Sequence, residues 1–279
     1  MRRVDPSAAL SADELRLLAD FLYRRTGMTF GESKRYYIER RIADGMLSSG
    51  EPNVGSYIAR LVSDPREAER LVNSFTVNET YFYREEHQLK ALGRSLLPEI
   101  VKDRLPGDQV RIWSMPCSTG EEAYSIALWL LENWRLVDAY NIEIVGSDVD
   151  TEALAAAKAG VYGQRSLSRL PPQVASAYFE PHSEGQRKIL DDLRESVRFV
   201  AANLIDPLSM RSMGRFDVIF CRNLLIYFDD ASRAVAADHL FEALNPGGFL
   251  CLGHTESMSR ISSRFTLARF PDAIVYRRP

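Results

Sequence analysis

From residue 110 onward, short runs rich in β-branched and aromatic residues alternate with helical stretches of about 12 to 16 residues. The runs that predict strands are 110–115, 142–147, 197–201, 216–221 and 249–252. Parallel strands need a crossover of this length, so the pattern predicts a parallel, doubly wound α/β sheet. The segment 180–197 interrupts the alternation and predicts a small inserted β-subdomain.

The first 75 residues carry helix signals and no convincing strand. Ser11 and Glu14 form a capping box, and Gly27 stands where a left-handed helix end belongs. A second helix is predicted over about 33–48, a third around Tyr57, and a fourth after Asp64. Residues 1–77 are therefore expected to form an all-α helical bundle.

Composition sets aside several classes of protein. With 46% hydrophobic and 26% charged residues, the chain is typical of a globular protein, and its net charge of -3 does not indicate a nucleic-acid partner. Three cysteines without CxxC spacing and four scattered histidines predict no metal site and a reducing cytoplasm. The longest apolar run, 126–131, is too short to cross a bilayer, so no membrane insertion is expected.

Ligands of open α/β sheets bind beyond the carboxyl ends of the strands. The first predicted strand leads into a loop of small residues, 114–120, followed by Glu121 and Glu122. This loop lacks a GxGxxG pattern, and its carboxylates favour a cationic nucleoside over a phosphate. Asp148, at the end of the second strand, is the expected acceptor for ribose hydroxyls, whereas Asp150 is expected to cap the next helix.

Two further pairs of residues follow strands at the same edge. Asn203-Leu204 follows the third predicted strand, and Arg222-Asn223 follows the apolar fourth strand. Tyr227 lies shortly after that pair, and a core tyrosine packed beside Phe228 is the alternative interpretation of it.

These motifs, in this order, resemble the CheR family, the chemotaxis receptor glutamate methyltransferases. The resemblance covers nearly the whole chain and rests on Asn78-Glu79-Thr80-Tyr81-Phe82-Tyr83-Arg84-Glu85, Cys117-Ser118-Thr119-Gly120-Glu121-Glu122, Ser147-Asp148-Val149-Asp150, Asn203-Leu204, Cys221-Arg222-Asn223 through Phe228-Asp229, and Gly253-His254-Thr255-Glu256-Ser257.

The resemblance implies a Rossmann-like methyltransferase domain over 93–279, with S-adenosylmethionine as methyl donor and S-adenosylhomocysteine as product. It implies methyl ester formation on glutamates of the cytoplasmic helices of chemoreceptors. A linker, 78–92, is expected to contribute to the cofactor site. The residues implied in cofactor binding are Asn78, Thr80, Arg84, Glu122, Asp148, Asn203, Leu204, Arg222 and Asn223. Arg84 and Tyr227 are the expected catalytic residues.

The receptor is expected to dock on the bundle. Lys34, Arg40 and Arg41 belong to a locally basic stretch of the second helix, and the family's substrate is an acidic helical bundle. The compact segment 180–188, with Gly185 as its one glycine, argues against a need for a receptor's carboxyl-terminal peptide as tether. We expect a monomer.

Two other functions remain open from the sequence. The chain is alternatively an S-adenosylmethionine-dependent methyltransferase of another acceptor, or a non-catalytic module that senses the cofactor. DNA base methylation is disfavoured because no Asn/Asp-Pro-Pro-Tyr/Phe tetrad follows the fourth predicted strand.

Overall fold

The structure, a computed structural model, describes residues 10–31, 34–183 and 185–279. Its amino-terminal part is a bundle of helices, as predicted. The helices are α1 (Ala12–Thr26), α2 (Arg35–Ser49), α3 (Val54–Ser63) and α4 (Pro65–Phe75). The predicted start of the second helix at Ser33 lies outside the described residues.

Local sequence signals explain the ends of these helices. Ser11 and Glu14 form the expected capping box, and Gly27 ends α1 with a φ of 73°. Asp64 caps α4 by accepting the backbone N–H groups of Arg66 and Glu67. The apolar stripes of the four helices meet in one core, which includes Leu18, Leu22, Ile38, Ile42, Tyr57, Leu61, Leu71 and Phe75.

The linker predicted over 78–92 contains two kinds of backbone. Residues 76–85 form no regular helix, and Tyr83 and Glu85 adopt positive φ angles of 57° and 55°. The chain then enters α5 (Glu86–Ala91), which continues through a π-helical turn into α6 (Leu97–Val101).

The remaining chain forms the predicted α/β domain. Within the described residues, its main sheet has seven strands in the order β6-β2-β1-β7-β8-β10-β9. These are β1 (Gln109–Met115), β2 (Asn141–Asp148), β6 (Val197–Ala201), β7 (Phe216–Cys221), β8 (Leu244–Leu252), β9 (Thr266–Arg269) and β10 (Ile274–Arg277). The five predicted strands pair in parallel, so the parallel Rossmann-like core is confirmed.

The sheet is mixed, however, because β9 and β10 add antiparallel pairs at one edge. These two strands were not predicted from the sequence. Both strands have only four residues, and most residues of β9 are exposed, so neither carries a clear alternating or apolar pattern.

Helices cover both faces of the main sheet. Those that follow or flank its strands are α7 (Glu121–Asn133), α8 (Thr151–Ala159), α11 (Asp191–Glu195), α12 (Pro207–Met213) and α13 (Asp230–Ala243). The apolar side chains of the sheet divide into two clusters, one on each face. Within the described part of the chain, no helix is long and apolar enough to cross a membrane.

A second, small sheet is inserted between α8 and α11, and it begins earlier than the predicted 180–197. Its antiparallel order is β3-β5-β4, with β3 (Val161–Gly163), β4 (Phe179–Pro181) and β5 (Gln186–Ile189). Helices α9 (Gln164–Leu167) and α10 (Pro172–Tyr178) connect β3 to β4. The strand β3 has only three residues, the last of them Gly163, which is too short for a sequence pattern, and Val197 already belongs to the main sheet.

The bundle packs against the carboxyl edge of the main sheet. Thr29 donates its backbone N–H to the Tyr227 carbonyl at 3.0 Å, and Met28 pairs with Phe228 in a β-bridge. On the other side, the Asn73 side chain bonds both the hydroxyl and the backbone N–H of Thr151. The bundle and the residues after α4 therefore cover the edge of the sheet where ligands of such sheets bind.

Candidate cofactor and active site

Two adjoining cavities lie beyond the carboxyl ends of β1, β2 and β7. Their empty volumes, with the solvent-open part of each included, are about 590 and 560 Å³, and both are lined by Val77, Pro116, Ser118 and Asn223. The first cavity also contacts Asp148, Asn203, Leu204 and Tyr227, whereas the second contacts Thr80, Arg84, Glu122 and Arg222. The first cavity is thus largely apolar with a single carboxylate, and the second carries charges of both signs.

Asp148 is the carboxylate of the first cavity, at the end of β2. One carboxylate oxygen accepts the Ser118 backbone N–H at 2.8 Å, and the other accepts the Asp150 N–H at 3.0 Å. Burial raises the pKa of Asp148 to about 6, although these two bonds oppose the rise. Each oxygen keeps one lone pair for a further donor, which suits a pair of ribose hydroxyls.

The loop between β1 and α7 brings its backbone close to that carboxylate. Ser118 has a φ of 48°, which turns its N–H toward Asp148. Gly120 has a φ of 95°, and a Cβ there would lie 2.9 Å from the Ala157 Cβ and 3.1 Å from the Tyr162 hydroxyl. The small-residue loop identified in the sequence is therefore required by both conformation and space.

Asn78 ties the residues after α4 to this loop. Its amide donates to Asp150 at 2.7 Å, and its Oδ1 accepts the Ser118 hydroxyl at 2.8 Å. Asp150 also accepts the Thr76 hydroxyl and caps α8, as predicted, through the Ala153 N–H. Asn78 thus lines the first cavity, while its side-chain amide is hydrogen-bonded to Asp150 and Ser118.

A buried ion network forms the wall of the second cavity. Arg222 Nη1 lies 2.6 Å from Glu122, whose other oxygen accepts the Ser114 hydroxyl at 2.8 Å. Arg222 Nη2 lies 3.1 Å from Glu85, and Glu85 is 2.9 Å from His254 Nδ1. Within the described residues, the buried Arg222 Nε has no hydrogen-bond partner.

The charges in this network stabilise one another. Burial by itself raises the pKa of Glu85, but the nearby Arg222 and His254 outweigh that effect and hold it below its ordinary value. Burial likewise opposes the charge of Arg222, and the two carboxylates keep its pKa raised. Glu121, the other carboxylate of the loop, lines neither cavity, because it accepts the Thr119 and Ser166 hydroxyls.

Thr80 and Arg84 border the second cavity from the residues after α4. Arg84 donates to the Glu79 carbonyl at 2.7 Å, and its guanidinium lies 5.8 Å from the ring centroid of Tyr81. The cavity therefore presents Arg84 and Arg222 together with the carboxylate of Glu122, a set that matches a zwitterionic amino acid.

Asn203 and Leu204 line the first cavity, but their polar groups are bonded to other parts of the protein. The Asn203 amide donates to the Arg25 carbonyl at the end of α1, at 2.7 Å. The Leu204 side chain is buried, and its carbonyl accepts from the His239 ring at 2.6 Å. This pair therefore joins the bundle to the cavity wall and offers mainly apolar surface to a ligand.

Tyr227 lines the first cavity, and one of the predicted docking residues, Lys34, lies beside it. The Lys34 ammonium is 5.7 Å from the ring centroids of both Tyr227 and Phe30. Arg41 packs over Tyr37 at 5.1 Å, whereas Arg40 is exposed on a neighbouring side of α2. The structure thus brings Lys34 closest to the site and places Arg40 and Arg41 farther along α2.

The sequence interpretation assigned no role to Glu85 and Glu256. Glu85 belongs to the same linker motif as Arg84, and Glu256 follows the last parallel strand, β8. A carboxylate in the loop after a strand was a usable signal for Glu256, the fourth residue after β8, whereas the pairing of Glu85 with Arg222 spans 137 positions of chain (222 − 85) and has no local signature.

The fold and the two-part cleft define a Rossmann-like methyltransferase. The chain matches the family model for the CheR methyltransferase SAM binding domain over residues 78–274 and that for the CheR methyltransferase all-alpha domain over residues 13–76. This chain belongs to the CheR methyltransferase family, and it is an S-adenosylmethionine-dependent methyltransferase.

Curated relatives extend along nearly the full chain. Chemotaxis protein methyltransferase 2 of Vibrio cholerae is 45% identical over 93% of this chain and 91% of its own length. The chemotaxis protein methyltransferase of Escherichia coli is 34% identical over 93% and 89%, and chemotaxis protein methyltransferase 1 of Pseudomonas aeruginosa is 32% identical over 97% and 99%.

The residues of the cleft fit S-adenosylmethionine. The cofactor has an adenosine part without phosphate, a sulfonium centre, and an amino acid part of mixed charge. Asp148 and the apolar wall match the first part, and the Glu122 carboxylate with Arg84 and the incompletely bonded Arg222 matches the last. Asn223 lines both cavities, between these two ends.

Proposed function

We propose that this protein transfers the methyl group of S-adenosylmethionine to glutamate side chains on cytoplasmic helices of chemoreceptors, forming methyl esters. The observation that carries the proposal is the position of Lys34, at the start of the basic helix α2, beside Tyr227 of the cofactor cleft. The names of the curated relatives support a role in chemotaxis.

The chemistry needs positioning rather than proton removal. A glutamate carboxylate is ionised at neutral pH, because its ordinary pKa is about 4.3, so it attacks without a general base. When bound, S-adenosylmethionine supplies an electrophilic methyl group on its sulfonium. Holding the carboxylate in line with that methyl group raises its effective concentration, which is the main source of acceleration available to this site.

In this proposal the protein's own side chains hold the two reactants. Asp148 accepts the ribose hydroxyls, and Glu122 with Arg222 binds the amino acid end. Thr80 and Asn78 close the cleft from the linker side, and Asn203 and Leu204 border the adenine. Arg84 orders the acceptor carboxylate or the cofactor carboxylate, and Tyr227 donates a hydrogen bond near the methyl group. Burial raises the pKa of Tyr227, so its hydroxyl keeps its proton at neutral pH.

Replacing Arg84 is expected to reduce catalysis. Arg84→Ala removes a cation from the second cavity, and we expect kcat/KM to fall about 100-fold, equivalent to about 2.7 kcal/mol. Arg165→Ala is the matched control, because Arg165 is an exposed arginine that pairs with Glu79 nearby and lines neither cavity. Equal kinetics for the two variants, measured with labelled cofactor, would remove Arg84 from the site.

Reversing the charge of the docking residues is expected to weaken receptor association alone. In K34E/R40E/R41E we expect the KM for receptor to rise about tenfold at low salt, and the wild-type KM to rise with salt as charges are screened. Binding of S-adenosylhomocysteine should change little, although Lys34 lies near Tyr227. Single exposed pairs contribute about 0 to 1 kcal/mol, so three changes are combined.

The control reverses three other exposed basic residues near the amino ends of the strands, K102E/R198E/R215E. It applies the same change in net charge at the opposite end of the sheet. If both triple variants lower receptor methylation equally, the effect is one of overall charge and α2 is not the docking surface.

The function itself is tested by incubating the protein with labelled S-adenosylmethionine and purified receptor cytoplasmic fragments. Label that enters the receptor and is released by mild base identifies a glutamate methyl ester. Base-stable label, or label on another acceptor only, would instead favour the alternative acceptor class. Binding of cofactor without any transfer would favour a sensing module.

Three finer points complete the proposal, and the same experiment tests the last of them. We propose that the protein acts in the cytoplasm, since its substrate helices are cytoplasmic, and that it acts as a monomer. We also propose that no receptor carboxyl-terminal peptide is needed, because only four residues, 182–185, separate β4 from β5. Receptor fragments with and without their terminal peptide should therefore be methylated at the same rate.

A further inference from the structure

Glu256 lies just after β8 and lines neither cavity, yet it joins the two loops beneath them. Its Oε2 accepts the backbone N–H groups of Asn223, at 2.7 Å, and Gly253, at 2.9 Å. Its Oε1 accepts the N–H of Leu225 at 2.8 Å. One carboxylate therefore binds the loop after β7 to the loop after β8.

Two of the residues that Glu256 holds position groups that line the cavities. Asn223 lines both cavities, and its φ of 59° places it in the left-handed region, where an L-residue stays only if its surroundings fix it. Leu225 begins the short helical turn Leu225–Tyr227, which carries Tyr227 to the cavity mouth. We infer that Glu256 is a positioning residue that holds Asn223 and the Tyr227 turn in the geometry that binds the cofactor.

The surroundings of Glu256 support this role. The carboxyl group is largely buried, and burial raises its pKa, while the backbone N–H donors oppose the rise. Gly253 leaves room for it: a Cβ at that position would lie 2.8 Å from Glu256 Oε2 and 3.1 Å from the Asn223 nitrogen. Bulk at residue 253 would therefore force apart the carboxylate and Asn223 without changing any charge.

The test measures S-adenosylhomocysteine binding by calorimetry with the full chain. E256Q keeps one acceptor oxygen but turns an NH₂ group toward a backbone donor, and E256A removes both acceptors. We expect the dissociation constant to rise about tenfold in E256Q and more in E256A, with each variant measured well below its own Tm. G253A tests the same contact by steric displacement and should also weaken binding about tenfold.

Asp217 provides the matched control. It is a buried carboxylate at the opposite end of β7, where it accepts the Arg111 N–H and the side chains of Arg104 and Asn245. D217N should lower Tm and leave the dissociation constant unchanged. In E256Q, amide hydrogen exchange at Asn223 and Leu225 should also accelerate relative to the wild type.

Wild-type affinity in both E256Q and G253A would overturn the inference, and so would an equal loss of affinity in D217N. If E256A does not fold, the other two variants still decide. Because cofactor binding needs no acceptor, this result is independent of whether the proposed methylation of receptors is observed.

Discussion

Asp148→Asn is expected to raise the dissociation constant for S-adenosylhomocysteine about 100-fold at neutral pH. The carboxylate is buried at the end of β2 and keeps one free lone pair on each oxygen, so the change weakens two charge-assisted hydrogen bonds to the ribose. A 100-fold change corresponds to about 2.7 kcal/mol. Asparagine is preferred to alanine because it still offers an acceptor to the Ser118 or Asp150 N–H.

The same residue predicts a pH dependence. Burial raises the pKa of Asp148 to about 6, and ribose hydroxyls bind best to the ionised form. Wild-type affinity should therefore fall as pH drops through about 6, by roughly tenfold at pH 5, whereas Asp148→Asn should show a flat profile. A wild-type profile that is flat between pH 5 and 7 would contradict the assignment.

The effect of falling pH on the stability of the free protein has the opposite sign to its effect on cofactor affinity. A carboxyl whose pKa is raised by folding binds its proton more tightly in the folded state than in the unfolded state. The contribution of Asp148 to the free energy of unfolding of the free protein should thus increase as pH falls from about 6 to about 4. Melting of the wild type and Asp148→Asn over this range, without ligand, separates this effect from binding.

Arg222→Met is expected to be strongly destabilising. The change leaves the largely buried carboxylates of Glu85 and Glu122 without the cation that they share. Breaking a buried pair in this way costs about 3 to 5 kcal/mol. For a chain of this size that corresponds to a fall in Tm of about 10 °C. Binding of S-adenosylhomocysteine should also be lost, because Arg222 lines the charged cavity.

Two variants distinguish these effects. Arg198→Met breaks an exposed pair with Glu143 on the edge strand β6 and should change the free energy of unfolding by less than about 1 kcal/mol. The neutral variant E85Q/E122Q/R222M should recover much of the lost stability without recovering affinity. Recovery of affinity in the neutral variant would mean that the network is structural and does not bind the cofactor.

The fold was largely predictable because its signals are local. The capping box at Ser11 and the glycine at position 27 predict α1, and the alternation from residue 110 predicts the parallel core. The strands β3, β9 and β10 were not predicted, since they have three or four residues each and gain their order from neighbours in the sheet. Whether such short segments form strands is decided by pairing with neighbouring strands and not by the β-propensity of their residues.

In the candidate site, too, some features follow from the local sequence and others only from tertiary contacts. The sequence by itself determined which polar residues follow the strands, because parallel strands bring their carboxyl ends to one edge, and this places Asp148 and Arg222 at the cleft. Only the tertiary structure decided their partners: Arg222 meets Glu85 and Glu122 from distant segments. It also decided that the Asn203 amide is directed to the bundle rather than into the cavity. Hydrogen-bond partners depend on contacts between segments far apart in the chain, which no local pattern of residues encodes.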